Sequence, residues 1–147
     1  MKKVVFNDLK DIEKKMLDSA VKCRGNAYAP YSNFKVGAAV LSEKGNIYSG
    51  CNVESADLTL TTHAEMNAID SMVSCGEKAI KEILIVMETD FGCSIPCGLC
   101  RQKILEFAAG KTEIIGVNLD KKGEIRSIYR TTINELLPHP FKSEYFK

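Results

Sequence analysis

The chain predicts an α/β fold, a mixed five-stranded sheet with helices packed on both faces. Two observations carry this. Apolar residues recur at helical spacing in some segments and as short continuous or alternating runs in others, and the two kinds succeed one another in the order αββαβαββα. The chain has 147 residues of which 45% are hydrophobic, enough to fill one core, so residues 1–147 are expected to form one domain.

From Asp8 to Lys22, Leu9, Ile12, Met16 and Ala20, followed by Cys23, make an apolar stripe of helical period that ends near Arg24-Gly25-Asn26. Ala29-Pro30-Tyr31-Ser32-Asn33 reads as a loop and Phe34 to Leu41 as a largely buried strand. The turn Glu43-Lys44-Gly45-Asn46 pairs that strand with Ile47–Cys51 as a hairpin. Asn52 to Thr62 has no period and many small polar residues, the composition of a functional loop. From His63 a helix with Ala64, Ala68, Ile69, Met72 and Val73 on one side runs to Cys75-Gly76. Ile83–Met87 is a continuous apolar run suited to a central strand. Pro96 opens a further helix ending at Ala109-Gly110. Ile114–Leu119 and Ile125–Tyr129 are strands around Lys121-Lys122-Gly123, and a short helix over Thr132–Leu137 precedes an aromatic tail.

Lys and Arg total 20 against 19 Asp and Glu, a net charge of +1, so no global field favours nucleic acid. No apolar run approaches the length of a membrane span, and Met1–Phe6 turns polar at Asn7-Asp8 without the apolar core of a signal peptide. The expected compartment is the cytoplasm, where paired cysteines read as metal or redox sites before disulfides.

Chemistry concentrates in Thr62-His63-Ala64-Glu65 and Pro96-Cys97-Gly98-Leu99-Cys100. An H-x-E with a distant P-C-x-x-C is the signature of zinc-dependent nucleobase deaminases. Cys97 and Cys100 are spaced to share one side of a helical turn, and with His63 they make three ligands for Zn²⁺, leaving one position open. Zinc lowers the pKa of its bound water from about 15.7 to roughly 7. Glu65 is the expected catalytic residue, moving protons between that water, the ring nitrogen and the leaving amine. Cys93, four positions before Cys97, is the rival ligand; Cys23, Cys51 and Cys75 read as core or loop residues and His139 as a surface residue.

Tyr28-Ala29-Pro30-Tyr31-Ser32-Asn33-Phe34-Lys35-Val36-Gly37-Ala38-Ala39, Gly50-Cys51-Asn52-Val53-Glu54, His63-Ala64-Glu65, Pro96-Cys97-Gly98-Leu99-Cys100-Arg101-Gln102 and Leu136-Leu137-Pro138 together resemble the small cytidine deaminases. The resemblance covers nearly the whole chain. It implies a three-layer cytidine deaminase-like fold, a tightly bound zinc, a free nucleoside substrate and a homotetramer in which neighbouring subunits complete each site. It further implies substrate-binding roles for Phe34 against the ring, Asn52 and Glu54 at a ribose hydroxyl, the Ala64 backbone N–H at the pyrimidine carbonyl, and Phe141 at a pyrimidine ring.

The chain departs from the small members where they carry Cys-Ala-Glu-Arg; here it reads His63-Ala64-Glu65-Met66, a ligand set resembling the larger dimeric members. Three thiolates on Zn²⁺ leave a net negative charge for an arginine to offset, whereas two thiolates and an imidazole leave none, so Met66 is consistent with His63. Ser55-Ala56-Asp57-Leu58 replaces the usual Asn-Ala-Ser-Tyr, and Ile95 the serine before the proline. The expected activity is hydrolytic deamination of cytidine or deoxycytidine, as in pyrimidine salvage. The altered loop keeps a deaminase of a cytosine-nucleoside antibiotic of the blasticidin S type in play, and a non-catalytic zinc-bearing scaffold is the reading from another class.

Overall fold

A computed structural model describes residues 1–90 and 92–146. The chain runs β1 (Lys2–Val4), α1 (Asp11–Gly25), β2 (Val36–Ser42), β3 (Ile47–Cys51), α2 (Ala64–Ser74), β4 (Ile80–Glu88), α3 (Gly98–Glu106), β5 (Ala108–Leu119), β6 (Ile125–Thr132) and α4 (Ile133–Leu136). The strands make one mixed sheet in the order β1-β6-β5-β4-β2-β3. Among the described strands only β4 and β5 pair in parallel, joined by the crossover through α3.

Strand alternation sorts the core into two halves. On β2, β4 and β5, Ala39, Leu41, Leu84, Val86, Ile115 and Val117 turn to one face and are covered by Met16, Leu17 and Ala20 of α1. Their neighbours Ala38, Val40, Ile83, Ile85 and Ile114 turn to the other and meet Ala68, Ile69 and Met72 of α2 with Ile104 of α3 and Ile133 of α4. Helices therefore cover both faces, as expected.

The sheet has six strands where the apolar runs predict five. The sixth is β1, whose Lys2 and Val4 pair with Arg130 and Ile128 of β6. Three residues are too short to show alternation, so only the partner strand makes this segment a strand. The expected helix end at Ala109-Gly110 is also corrected. α3 stops at Glu106, and Ala108 already pairs with Ile80, so β5 begins well before Ile114. Phe34 and Lys35 lie outside β2, which starts at Val36.

Close approaches of backbone set where the site-bearing segments lie. A Cβ at Gly50 of β3 would stand 2.3 Å from the Ala68 nitrogen and 2.6 Å from the Ala64 oxygen, so glycine lets α2 cross directly on the strand. A Cβ at Gly116 of β5 would stand 1.7 Å from the Ser94 carbonyl oxygen, the point where the segment leading into Cys97 rests on the sheet. Among the described residues no helix is long and apolar enough to cross a membrane.

A second polar centre joins α1 to the sheet. Arg130 of β6 donates to both oxygens of the fully buried Glu13 at 2.9 and 2.8 Å and to Glu113 at 2.6 Å, while Lys10 reaches Glu82 at 3.1 Å. Glu13, Glu82 and Glu113 lie close enough to one another for a cation. The Lys10 ammonium and Arg130 guanidinium fill that role, making the cluster a structural ion network.

Candidate active site

His63 and Cys97 occupy equivalent positions on different helices. Each is the residue preceding the first helical turn, His63 before α2 with φ −75° and ψ 155°, Cys97 before α3 with φ −65° and ψ 168°. Cys100 sits one turn into α3, fully buried. Pro96 therefore lies outside the helix, and Cys97 itself stands at its threshold. Both helix starts bring free N–H groups and the positive end of the dipole to the place where His63 and Cys97 meet.

The three side chains converge. His63 Nδ1 lies 3.4 Å from Cys97 Sγ and 3.3 Å from Cys100 Sγ. Zn–S and Zn–N bonds of ordinary length in a tetrahedral site put nitrogen and sulfur about 3.5 Å apart, so these donors fit one zinc ion. Among the described residues the cysteine–histidine group within ligating range is His63, Cys97 and Cys100; Cys93 is not part of it. The chemistry of the group agrees. Burial, then the neighbouring Glu65 carboxylate and Cys97, push the Cys100 thiol far up, and a cation between them relieves that penalty.

Glu65, the second residue of α2, is 5% exposed. Burial raises its carboxyl above the usual range, against the opposing pull of its own backbone N–H, His63 and Cys100. A carboxyl held at this point beside the ligand cluster is placed to exchange protons with a reacting group. Ala64 begins α2, where the backbone N–H has no acceptor within the helix.

His63, Ala64, Glu65 and Cys97 line a cleft of about 310 Å³ together with Phe34, Asn52 and Glu54. Asn52 and Glu54 are 7% exposed and their polar atoms are already engaged. Asn52 Oδ1 accepts from Val36 N at 2.9 Å and its Nδ2 donates to Phe34 O at 2.8 Å. Glu54 Oε2 accepts from the Tyr31 and Ser32 amides at 3.0 and 3.2 Å, and Oε1 from the Ser32 hydroxyl. The pair grips the segment that carries Phe34.

Phe141 does not enter the cleft. It is 56% exposed, stacks with Tyr145 and Phe146 at ring separations of 5.5 Å, and is tied to α3 through its carbonyl, which accepts from Gln102 Nε2 at 2.8 Å. Arg101 braces the cysteine segment from behind, donating to Pro96 O at 2.8 Å and to Leu136 O at 3.1 Å. Ser32, Val36, Thr61, Met87 and Ile95 also line the cleft. Ser32 and Val36 lie in the motif that carries the resemblance and Ile95 is one of its departures, whereas Thr61 and Met87 carry no sequence signal and join the cleft only through the fold.

The profile of the cytidine and deoxycytidylate deaminase zinc-binding region matches residues 10–115. The chain belongs to the cytidine deaminase family. A cytidine deaminase of Sporosarcina psychrophila is 43% identical over 91% of this chain and 93% of its own length. One of Halalkalibacterium halodurans is 37% identical over 88% of this chain and 93% of its own. Among solved structures, a cytidine deaminase from Burkholderia pseudomallei superposes with a TM-score of 0.79 at 36% identity, covering 90% of this chain and all of that one. The cytidine deaminase from Mycobacterium tuberculosis gives 0.71 at 29% identity, covering 91% and 99%. The zinc-binding region of the family profile contains both motifs of this chain, from His63 to Cys100.

Proposed function

We propose that this protein is a cytoplasmic enzyme that hydrolytically deaminates cytidine, deoxycytidine or both, releasing uridine or deoxyuridine and ammonia. The observation that carries the reading is the convergence of His63, Cys97 and Cys100 beside the buried Glu65 at one cleft. Membership of the cytidine deaminase family, and relatives that bear that name, support the same activity. The antibiotic deaminase is not favoured by these relatives, and a scaffold has no use for a buried carboxylate at the ligand cluster.

His63 Nδ1 and the two thiolates are the residues that hold zinc, which when bound supplies a water of lowered pKa and an electrophilic centre. Glu65 takes one proton from the attacking water and passes it to the pyrimidine ring nitrogen as the oxygen adds to the carbon bearing the amine. It then carries the remaining proton of that oxygen to the amine, which leaves as ammonia while the carbonyl forms. The Ala64 N–H binds the pyrimidine carbonyl, Phe34 packs on the ring, and Asn52 and Glu54 meet a sugar hydroxyl. An ionised Glu54, held low in pKa by the Ser32 hydroxyl and the Tyr31 and Ser32 amides, repels a phosphate and favours the free nucleoside over a nucleotide.

Phe141, exposed and outside its own cleft, serves a neighbouring subunit's site in a homotetramer. Residues 1–147 act as a single domain.

Ammonia release from cytidine, deoxycytidine, cytosine, deoxycytidylate and blasticidin S tests the assignment. The two nucleosides are expected to be turned over and deoxycytidylate to be poor. Activity confined to blasticidin S, or equal use of deoxycytidylate and deoxycytidine, overturns it.

A further inference from the structure

Glu54 does not stand alone at the cleft; it is wrapped by the loop that precedes β2. Tyr28 N donates to Asn52 O at 3.1 Å and Glu54 N to Tyr28 O at 2.8 Å, so the two segments run side by side. The loop then turns back through Asn33, whose φ of 57° is a left-handed conformation that asparagine tolerates. Asn33 N closes this turn on Ala29 O at 3.1 Å, and within the turn the Tyr31 and Ser32 amides and the Ser32 hydroxyl donate to the Glu54 carboxylate.

Ser32 has a second bond. Its Oγ accepts from Phe34 N at 3.0 Å while donating its proton to Glu54 Oε1. One hydroxyl thus links the carboxylate to the residue that packs on the ring. An ionised carboxylate offers about four acceptor positions. Three are filled from this loop, which leaves one on Oε1, the oxygen that Ser32 orients. Ser32 itself has no proton left to donate.

Resting on the nucleoside deaminase reading, we propose that Ser32 is a positioning residue for sugar recognition. It turns the last free acceptor of Glu54 toward a substrate hydroxyl and holds Phe34 in register with it. Without the Ser32 hydroxyl, Glu54 keeps its two backbone donors but loses its orientation about the carboxylate axis, and Phe34 N loses its acceptor. His63, Cys97 and Cys100 take no part in these hydrogen bonds, so the effect falls on binding and leaves the chemical step alone.

The test is a set of KM and kcat measurements on cytidine, deoxycytidine and 2′,3′-dideoxycytidine. The proteins are wild type, Ser32→Ala, Ser32→Thr, Glu54→Gln and the Ser32→Ala/Glu54→Gln double variant, all zinc-loaded. Ser32→Ala is expected to raise KM for the two natural nucleosides roughly three- to tenfold, with kcat within about a factor of two, the scale of one oriented hydrogen bond. Ser32→Thr should restore most of it. The penalty should shrink on the dideoxy substrate, which lacks the 2′- and 3′-hydroxyls, and in the Glu54→Gln background. Equal penalties on all three substrates, or an undiminished penalty in the Glu54→Gln background, overturn the proposal and leave Ser32 as a loop stabiliser. Should Ser32→Ala fail to fold, Ser32→Cys keeps the volume, weakens the donor and takes its place in the same cycle. A wild-type enzyme inactive on every cytosine nucleoside overturns the functional reading itself, whereas an active wild type with an unchanged Ser32→Ala overturns only this inference.

Discussion

Glu65 lies beside the ligand cluster without belonging to it, so its proton chemistry and the metal's retention are separable. Glu65→Gln keeps the shape and removes the proton carrier. Turnover is expected to fall by at least about 10²-fold with zinc content unchanged, measured by ammonia release alongside metal analysis. A variant near the native rate refutes the assigned role. Arg101 makes the opposite prediction. Its guanidinium holds the Pro96 and Leu136 carbonyls and touches no reacting atom, so Arg101→Ala should loosen the segment carrying Cys97. Losses of such supporting bonds around a metal typically cost 10–100-fold in affinity. Competition with a chelator should show faster zinc loss, and unchanged retention would mean the helix alone positions Cys97.

At the scale of elements, the two helix starts meet because the strands beneath them have no side chain in the way. Gly116→Ala would push a methyl group into the Ser94 carbonyl, and since the obstacle is backbone, the segment leading to Cys97 has to move. Overpacking of this kind costs about 1–3 kcal/mol or more. A lower Tm together with reduced zinc occupancy is expected; a lower Tm with full occupancy would show that the cysteine segment shifts as a rigid unit. The ion network between α1 and the sheet contributes to stability in a pH-dependent way. Burial alone would raise Glu13, but hydrogen bonds from Arg130 and from the Lys10 amide and ammonium outweigh it and bring the carboxyl down from 4.5 to about 2. A lowered pKa in the fold stabilises above the unfolded value, so this contribution is complete above about pH 5 and is lost as pH falls from there toward 2. It amounts to at most about 3 kcal/mol by linkage. Urea unfolding between pH 7 and 2 should show the loss, and Glu13→Gln should flatten that part of the profile while lowering stability at pH 7.

For the whole molecule, the exposed apolar residues define what remains to be covered. Phe141, Tyr145 and Phe146 form an aromatic cluster at 56, 70 and 79% exposure, and Leu58, Leu60 and Leu99 are likewise open. A patch of this kind is the mark of a protein surface that pairs with another. Sedimentation at micromolar concentration is expected to give a tetramer. Deletion from Phe141 onward should reduce assembly and activity together, and loss of assembly with activity intact would remove Phe141 from any neighbouring site.

The grouping of His63, Cys97 and Cys100 beside Glu65 was legible along the chain because H-x-E and P-C-x-x-C are local spacings at helix starts, where geometry follows from a few consecutive residues. The alternation of helical and strand periods was legible for the same reason: a period records which face is buried. The sixth strand was not, since Lys2–Val4 is a strand only through its pairing with β6. Nor was the early start of β5, which Ala108 owes to its pairing with Ile80. The resemblance marked Asn52 and Glu54 as sugar residues, yet only the fold reveals that Ser32, Tyr31 and Val36 already hold them. Sequence determined which chemical groups the protein has and on which elements they ride. Tertiary structure decided which of them share a cleft and which acceptors stay free, because hydrogen bonds between distant segments leave no period in the chain.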